Sequence, residues 1–222
     1  MCGIAGVRYY DGREPSERML RRMSGCIVHR GPDDEGVWTG DGTGLSFRRL
    51  SIIDLAEGHQ PLSNEDDSVW IVFNGEIYNY KELREQLSAR GHRFKTRTDT
   101  EVIVHLYEEY GESCVTHLRG MFGFVIWDRR TRTLFGARDH FGIKPFYYAA
   151  DGEKFAFASE IKSLLMLDGA RREVNLQSLA NYLTFQYVPD PDTMFEGIRK
   201  LPPAHTVTVD RNGGIRIKRY WD

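Results

Sequence analysis

The residue carrying the most reactive chemistry is Cys2. If Met1 is removed, which a small side chain at position 2 permits, one residue holds both a thiol and a free α-amine. An α-amino group titrates at roughly 7.7 to 8.0, so near neutral pH it can take the thiol proton and later return it to a leaving amine. Such a nucleophile needs no histidine. The plain alternative is a cysteine placed second by accident. Gly3 and Gly6 weigh against it, because glycines let substrate and neighbouring backbone approach closely.

Asn74-Gly75 follows the apolar run Val69–Phe73 and admits two readings. Asn-Gly is a strong hairpin-turn signal. The same pair can instead form an oxyanion hole, with the Asn74 amide and the Gly75 N–H aimed at an oxygen that turns negative during acyl transfer. Asp99 lies in Thr98-Asp99-Thr100-Glu101, which has the form of a capping box, and the dipole of the following helix favours an acid there. The same acid can hold an ammonium group. Arg49 reads as an ordinary strand arginine unless it meets a carboxylate in bidentate fashion.

Other chemistries find little support along the chain. The seven histidines show no HxxxH or other metal spacing, and no metal is expected. GDGTG at 40 to 44 fits neither phosphate-binding glycine pattern and reads as a turn. Asp33, Asp34 and Glu35 follow Gly31-Pro32 and read as an exposed loop.

Positioning these residues requires many strands. The runs 4–10, 45–53, 69–73, 121–128, 133–139, 145–150 and 154–159 have strand character, with Asp151-Gly152 turning between the last two. Helical spacing appears at Met19, Leu20, Met23 and Ile27, at Leu83 and Leu87 before Gly91, and at Ile103, Leu106, Tyr107 and Tyr110 before Gly111. This pattern predicts an α+β sandwich with helices on its outer faces. From 187 onward, Pro189, Pro191, Pro202 and Pro203 suggest an extended border segment, with a last hairpin around Asn212-Gly213.

With 222 residues, 41% of them apolar and 12% aromatic, the chain can bury a core without disulfides. Its net charge of −2, with no run of like charge, gives no footprint for nucleic acid or membrane and favours a small neutral or zwitterionic partner. No apolar stretch approaches a membrane span, and the N-terminus lacks the features of a secretory signal. Three cysteines at 2, 26 and 114 form no framework of pairs. A reducing, cytoplasmic setting is the expectation.

Taken together, these residues resemble the N-terminal glutaminase domain of glutamine-hydrolysing asparagine synthetases, class II amidotransferases of the N-terminal-nucleophile (Ntn) hydrolase superfamily. The resemblance rests on MCGIAG at the start, HRGPD (29–33), RLSIID (49–54), NGEIYN (74–79), TDTEVI (98–103), GMFGFVIWD (120–128), ARDHFGIKPFYY (137–148) and FASEIKSLL (157–165). Gly123, where the family often has Ala, and Ala204, where LPPGH is usual, are small departures.

The resemblance implies a four-layer αββα sandwich of two mostly antiparallel sheets, with a glutaminase domain over 2–186 and the border segment over 187–222 leading to a synthetase domain. It implies that Cys2 attacks the side-chain amide of L-glutamine, that Asn74 and Gly75 form the oxyanion hole, that Arg49 holds the α-carboxylate and that Glu76 and Asp99 hold the α-ammonium. No cofactor is implied for these residues. ATP and Mg belong to the synthetase domain, whose Ser-Gly-Gly-x-Asp-Ser loop does not occur here. The chain is therefore expected to be a piece that makes ammonia, with L-glutamine and the synthetase domain as partners and a homodimer compatible with both. Two other readings stay open: an amidotransferase domain serving another acceptor, and a glutamine-binding module without turnover.

Overall fold

The computed structural model describes residues 1–51 and 58–222. The elements are, in order, β1 (Gly3–Tyr9), α1 (Glu17–Gly25), β2 (Asp34–Gly40), β3 (Thr43–Arg49), β4 (Leu62–Ser63), β5 (Val69–Ile77), α2 (Tyr80–Ala89), α3 (Thr100–Tyr110), β6 (Gly120–Asp128), β7 (Thr133–Arg138), β8 (Tyr147–Ala150), β9 (Lys154–Ala158), α4 (Ile161–Leu164), α5 (Leu176–Phe185), β10 (Ile198–Lys200), β11 (His205–Val209) and β12 (Ile215–Arg219). One sheet has the order β10-β8-β9-β1-β3-β2 and the other β12-β11-β7-β6-β5-β4. The described strand pairings are antiparallel.

Strand alternation sorts the apolar side chains into three layers. Ile4, Phe47, Val72, Val125, Trp127 and Phe157 meet between the sheets. Ala5, Val7 and Ala156, on the opposite face of the first sheet, pack under Leu20 and Met23 of α1 and Leu164 of α4. Ile71, Phe73, Phe124 and Ile126 pack under Leu83 of α2 and Ile103 and Leu106 of α3. The result is the expected αββα arrangement. Ser16 caps α1 by accepting from the Met19 amide at 3.3 Å, and Gly111 ends α3 at φ 55°. Among the described residues, no helix is long and apolar enough to cross a membrane.

Several sequence expectations are corrected, and α5 is a helix for which none was made. Asp34 and Glu35, read as loop, open β2, whose pairing with β3 runs from Asp34↔Arg49 to Gly40↔Thr43, while the turn read at 40–44 forms at Asp41-Gly42. Helix α5 has Leu176, Leu179 and Leu183 at helical spacing and is capped by Asn175, yet five of its large apolar side chains, Leu176, Leu179, Tyr182, Leu183 and Phe185, are exposed, Leu176 and Leu183 at 74%. The segment 187–222 is more than a border: it places β10 in one sheet and β11 and β12 in the other. The Asn212-Gly213 hairpin forms as expected, with Gly213 at φ 83°. Most important for the site, Asn74-Gly75 makes no turn, because β5 continues through both to Ile77, pairing Asn74↔Gly123 and Gly75↔Phe122. The strand expected at 45–53 is observed to Arg49, and residues 52–53 of it lie outside the described residues.

Leu201 is fully buried between the sheets although it belongs to the proline-rich segment. Leu201→Ala should therefore cost about 2 to 5 kcal/mol in urea unfolding. A chain ended at residue 186 should lose its cooperative transition altogether. Retention of a cooperative transition by that shortened chain would show 187–222 to be an appendage.

Candidate active site

The six residues singled out from sequence, at positions 2, 49, 74, 75, 76 and 99, line one cleft. Cys2 directly precedes β1, which is held on one side by β3 (Gly3↔Arg48) and on the other by β9 (Ala5↔Ala158), so its backbone is fixed at the end of a central strand. The Leu50 amide approaches the thiol at 3.4 Å, and Arg30 Nε donates to the Cys2 carbonyl at 3.0 Å while its Nη1 bonds Glu160 at 3.1 Å. Burial pushes the Cys2 thiol up, opposed by the Leu50 amide, the chain-terminal charge and the Arg49 guanidinium. The group therefore rests as a thiol and needs a base to ionise it. Gly3 and Gly6 serve packing: a Cβ would lie 2.7 Å from Ile27 Cδ1 at Gly3 and 2.5 Å from the Gly44 carbonyl oxygen at Gly6.

β5 supplies the opposite wall. Asn74 and Glu76 share the sheet-facing side with Val72, since side chains alternate. Asn74 is 1% exposed, yet neither its Nδ2 nor its Oδ1 has a partner among the described residues. Buried polar groups are nearly always hydrogen-bonded, so an amide left open at a cleft is a place for a ligand.

The edge of β5 that faces away from β6 is equally informative. β4 covers it only to Ile71. Further along, the Phe73 amide donates to Gln60 Oε1 at 2.7 Å and the Ile77 amide to Asp99 Oδ2 at 2.9 Å. The Gly75 N–H lies between them and, by the same alternation, points out of this edge. A side chain at 75 would not fit, because its Cβ would stand 2.3 Å from the Met121 carbonyl oxygen.

Asp99 occupies the first cap position of α3, but the capping box does not form. Its carboxylate serves Ile77, while Glu101 accepts from the Lys95 and Thr96 amides at 2.6 and 2.7 Å. Burial raises the Asp99 pKa to about 6, with the Glu76 charge adding to the effect and backbone N–H groups opposing it. Arg49 is buried at the end of β3. The cleft thus sets Arg49 against Glu76 and Asp99, suiting a molecule that carries both a carboxylate and an ammonium.

Sequence reasoning missed Lys144 and Gln60, which also line the cleft. Lys144 sits at the end of a loop gathered by Asp139, whose carboxylate accepts from the Phe122, Phe141, Ile143 and Lys144 amides. Burial lowers its pKa, with the Arg30 charge adding to the shift. The only sequence signal for it was its place in the 137–148 motif.

A sandwich of this layout, with Cys2 at the outer end of a central strand and polar groups ranged across a cleft, has the αββα arrangement of the N-terminal-nucleophile hydrolase fold. The chain belongs to the glutamine amidotransferase domain family, which it matches over residues 1–221. It is 44% identical to asparagine synthetase [glutamine-hydrolyzing] 1 of Bacillus subtilis, over 100% of this chain and 35% of that protein. It is 36% identical to a putative asparagine synthetase [glutamine-hydrolyzing] 2 of Methanocaldococcus jannaschii, over 100% of this chain and 47% of that protein. The chain thus spans roughly a third to a half of these curated relatives. In fold it matches the glutamine phosphoribosylpyrophosphate amidotransferase of B. subtilis with a TM-score of 0.69 at 19% identity, covering 99% of this chain and 49% of that one.

Asp99 supplies a test of the site's electrostatics. A carboxyl whose pKa rises on folding destabilises the folded state in full above its folded pKa of about 6, and the penalty fades as pH falls toward its ordinary value. Asp99→Asn, which keeps an acceptor for Ile77, should therefore stabilise the protein by about 1 to 3 kcal/mol at pH 7, and the gain should shrink between pH 6 and 4. Urea unfolding of both proteins across that range checks it, and a gain independent of pH would contradict the assignment.

Proposed function

We propose that this chain hydrolyses L-glutamine to glutamate and ammonia through a Cys2 γ-glutamyl thioester. Once Met1 is removed, the Cys2 amine takes the thiol proton, and Sγ bonds to the side-chain carbonyl carbon. The tetrahedral intermediate collapses as the C–N bond breaks, and the ammonium proton passes to the departing nitrogen, releasing ammonia. Water, deprotonated by the same amine, then cleaves the C–S bond, and glutamate leaves with the thiol restored. Met1 is 55% exposed, in keeping with access for its removal.

The observation that carries this reading is the buried, unpartnered Asn74 amide beside the open Gly75 N–H. A donor pair held in place before reaction stabilises developing negative charge without reorganising. Arg49 takes the α-carboxylate, and Glu76 with Asp99 takes the α-ammonium. The chain needs no cofactor for this chemistry.

The relatives' names, glutamine-hydrolyzing asparagine synthetases, support a further step: ammonia passing to a synthetase domain that makes asparagine; that this domain uses ATP and Mg to amidate aspartate is what the sequence resemblance adds. The exposed apolar side chains Leu176, Leu183 and Phe185 of α5 suit contact with such a neighbour. A different acceptor is the second reading, favoured by 37% identity over the whole chain to amidase chry2 of Gibberella zeae.

Three variants test the mechanism. Cys2→Ala, and protein shown by mass spectrometry to retain Met1, should release no glutamate. Asn74→Ala should lower kcat by roughly 10²- to 10³-fold with little change in KM. Because Asn74 lies within a strand and has no partner to lose, its thermal midpoint should hold or rise. Arg49→Ala should cost roughly 2 to 5 kcal/mol in kcat/KM for glutamine while slowing alkylation of Cys2 by iodoacetamide far less. Near-normal kcat in folded Asn74→Ala would refute the oxyanion assignment.

A further inference from the structure

On the outer layer, away from the cleft, three chain segments bring two imidazoles and two carboxylates together. Glu65 follows β4, His92 follows α2, and His105 and Glu108 lie on α3; one ligand atom from each falls within 4.8 Å of all the others. His105 Nδ1 is 3.0 Å from Glu108 Oε2 and 3.8 Å from Glu65 Oε2, and His92 Nδ1 is 3.7 Å from the same Glu108 oxygen. Donors around a tetrahedral zinc with bonds of about 2.0 to 2.2 Å stand ~3.4 Å apart, so these three spacings suit one ion. We propose that Glu65, His92, His105 and Glu108 form a structural site for a divalent transition metal, zinc by its donor set.

The surrounding groups are arranged as the outer shell of such a site. His92 Nε2 is 3.0 Å from Glu109 Oε1, and Arg90 donates to the other Glu109 oxygen at 2.8 Å. That contact holds the proton on Nε2 and turns the Nδ1 lone pair toward Glu108. His105 is completely buried, and its Nε2, without a hydrogen-bond partner among the described residues, lies 3.7 Å from Glu101 Oε1. Each ligating carboxylate is steadied through its other oxygen: Asn64 Nδ2 donates to Glu108 Oε1 at 2.7 Å and the Arg93 amide to Glu65 Oε1 at 2.8 Å. His105 Nδ1 and Glu108 Oε2 are at hydrogen-bond distance, so a proton on the imidazole can bridge them, and zinc would take that proton's place between the same two atoms. Arg130 Nη1 lies 3.9 Å from the other Glu108 oxygen, Oε1. Bound zinc would tie the Glu65 and His92 segments to α3, the helix whose first cap residue is Asp99. The absence of metal spacing along the sequence does not weigh against this, because the four ligands come from three separate segments.

The test uses zinc itself, added to the purified chain and followed by gel filtration with elemental analysis. One zinc per chain should be retained, and at a hundredfold excess over Kd the thermal midpoint should rise by roughly 5 to 10 °C. His92→Gln and Glu65→Gln should abolish stoichiometric retention, and Glu109→Gln should weaken it roughly 10- to 100-fold. Cys2→Ala should bind as the parent does. Cobalt in place of zinc should give the visible absorption of a four-coordinate nitrogen and oxygen site. No retained zinc, unchanged binding by His92→Gln, or loss of binding in Cys2→Ala would each overturn the proposal, the last placing the metal on the thiol. None of these readouts depends on glutamine turnover, so the outcome stands apart from the proposed activity.

Discussion

The cleft depends on one interrupted sheet edge. β5 is paired with β6 along its whole length, but on its other side β4 stops opposite Ile71. A bare edge is costly, because each buried N–H must find a partner. Side chains close most of the gap: Gln60 takes the Phe73 amide and Asp99 takes the Ile77 amide. Between those two stoppers the edge opens at Gly75, and the neighbouring Asn74 turns its amide into the same cleft. Had β4 run four residues further, to a partner for Gly75, the sheet would be more complete and the cleft would have no row of donors.

This arrangement is bought with stability. Asn74 holds two polar atoms out of water with no partner, and Asp99 is kept near the Glu76 charge in a buried position that raises its pKa to about 6. Such groups disfavour the folded state by themselves and persist only where surrounding packing is secure. The packing is secure on both sides: Phe124 and Ile126 lie under α3, while Val125 and Trp127 fill the space between the sheets. A ligand with a carboxylate, an ammonium and a carboxamide matches the charges of the cleft and the open Asn74 amide together, which ties the proposed specificity to groups that weaken the fold by themselves.

Cys2 is fixed by a different means. β1 is central in its sheet, so pairing on both sides sets the position of Gly3 and hence of Cys2. Close contacts at Gly3 and Gly6 leave no space for side chains, which makes these glycines part of the clamp on β1. Lys144 reaches the cleft through Asp139, a buried carboxylate that draws a whole loop together.

The sequence by itself determined the site's composition and most of its framework. Residue chemistry alone singled out Cys2, and the strand and helix periodicities place nearly every element of the two sheets and α1 to α3, because burial of one face imposes a period of two or 3.6 wherever it occurs. Local signals failed where a long-range partner outweighed them. Asn74-Gly75 has the same turn signal as Asn212-Gly213, yet nine residues of pairing with β6 hold it straight. Thr98 to Glu101 has the form of a capping box, but Ile77 and Lys95 claim its carboxylates. The prolines after 187 suggested a border, while Leu201 and Val207 found room between the sheets. Only tertiary structure could bring positions 2, 49, 74 to 76 and 99 to one cleft, or Glu65, His92, His105 and Glu108 to one point. Those distances are set by strand order and layer packing, which no local spacing along the chain encodes.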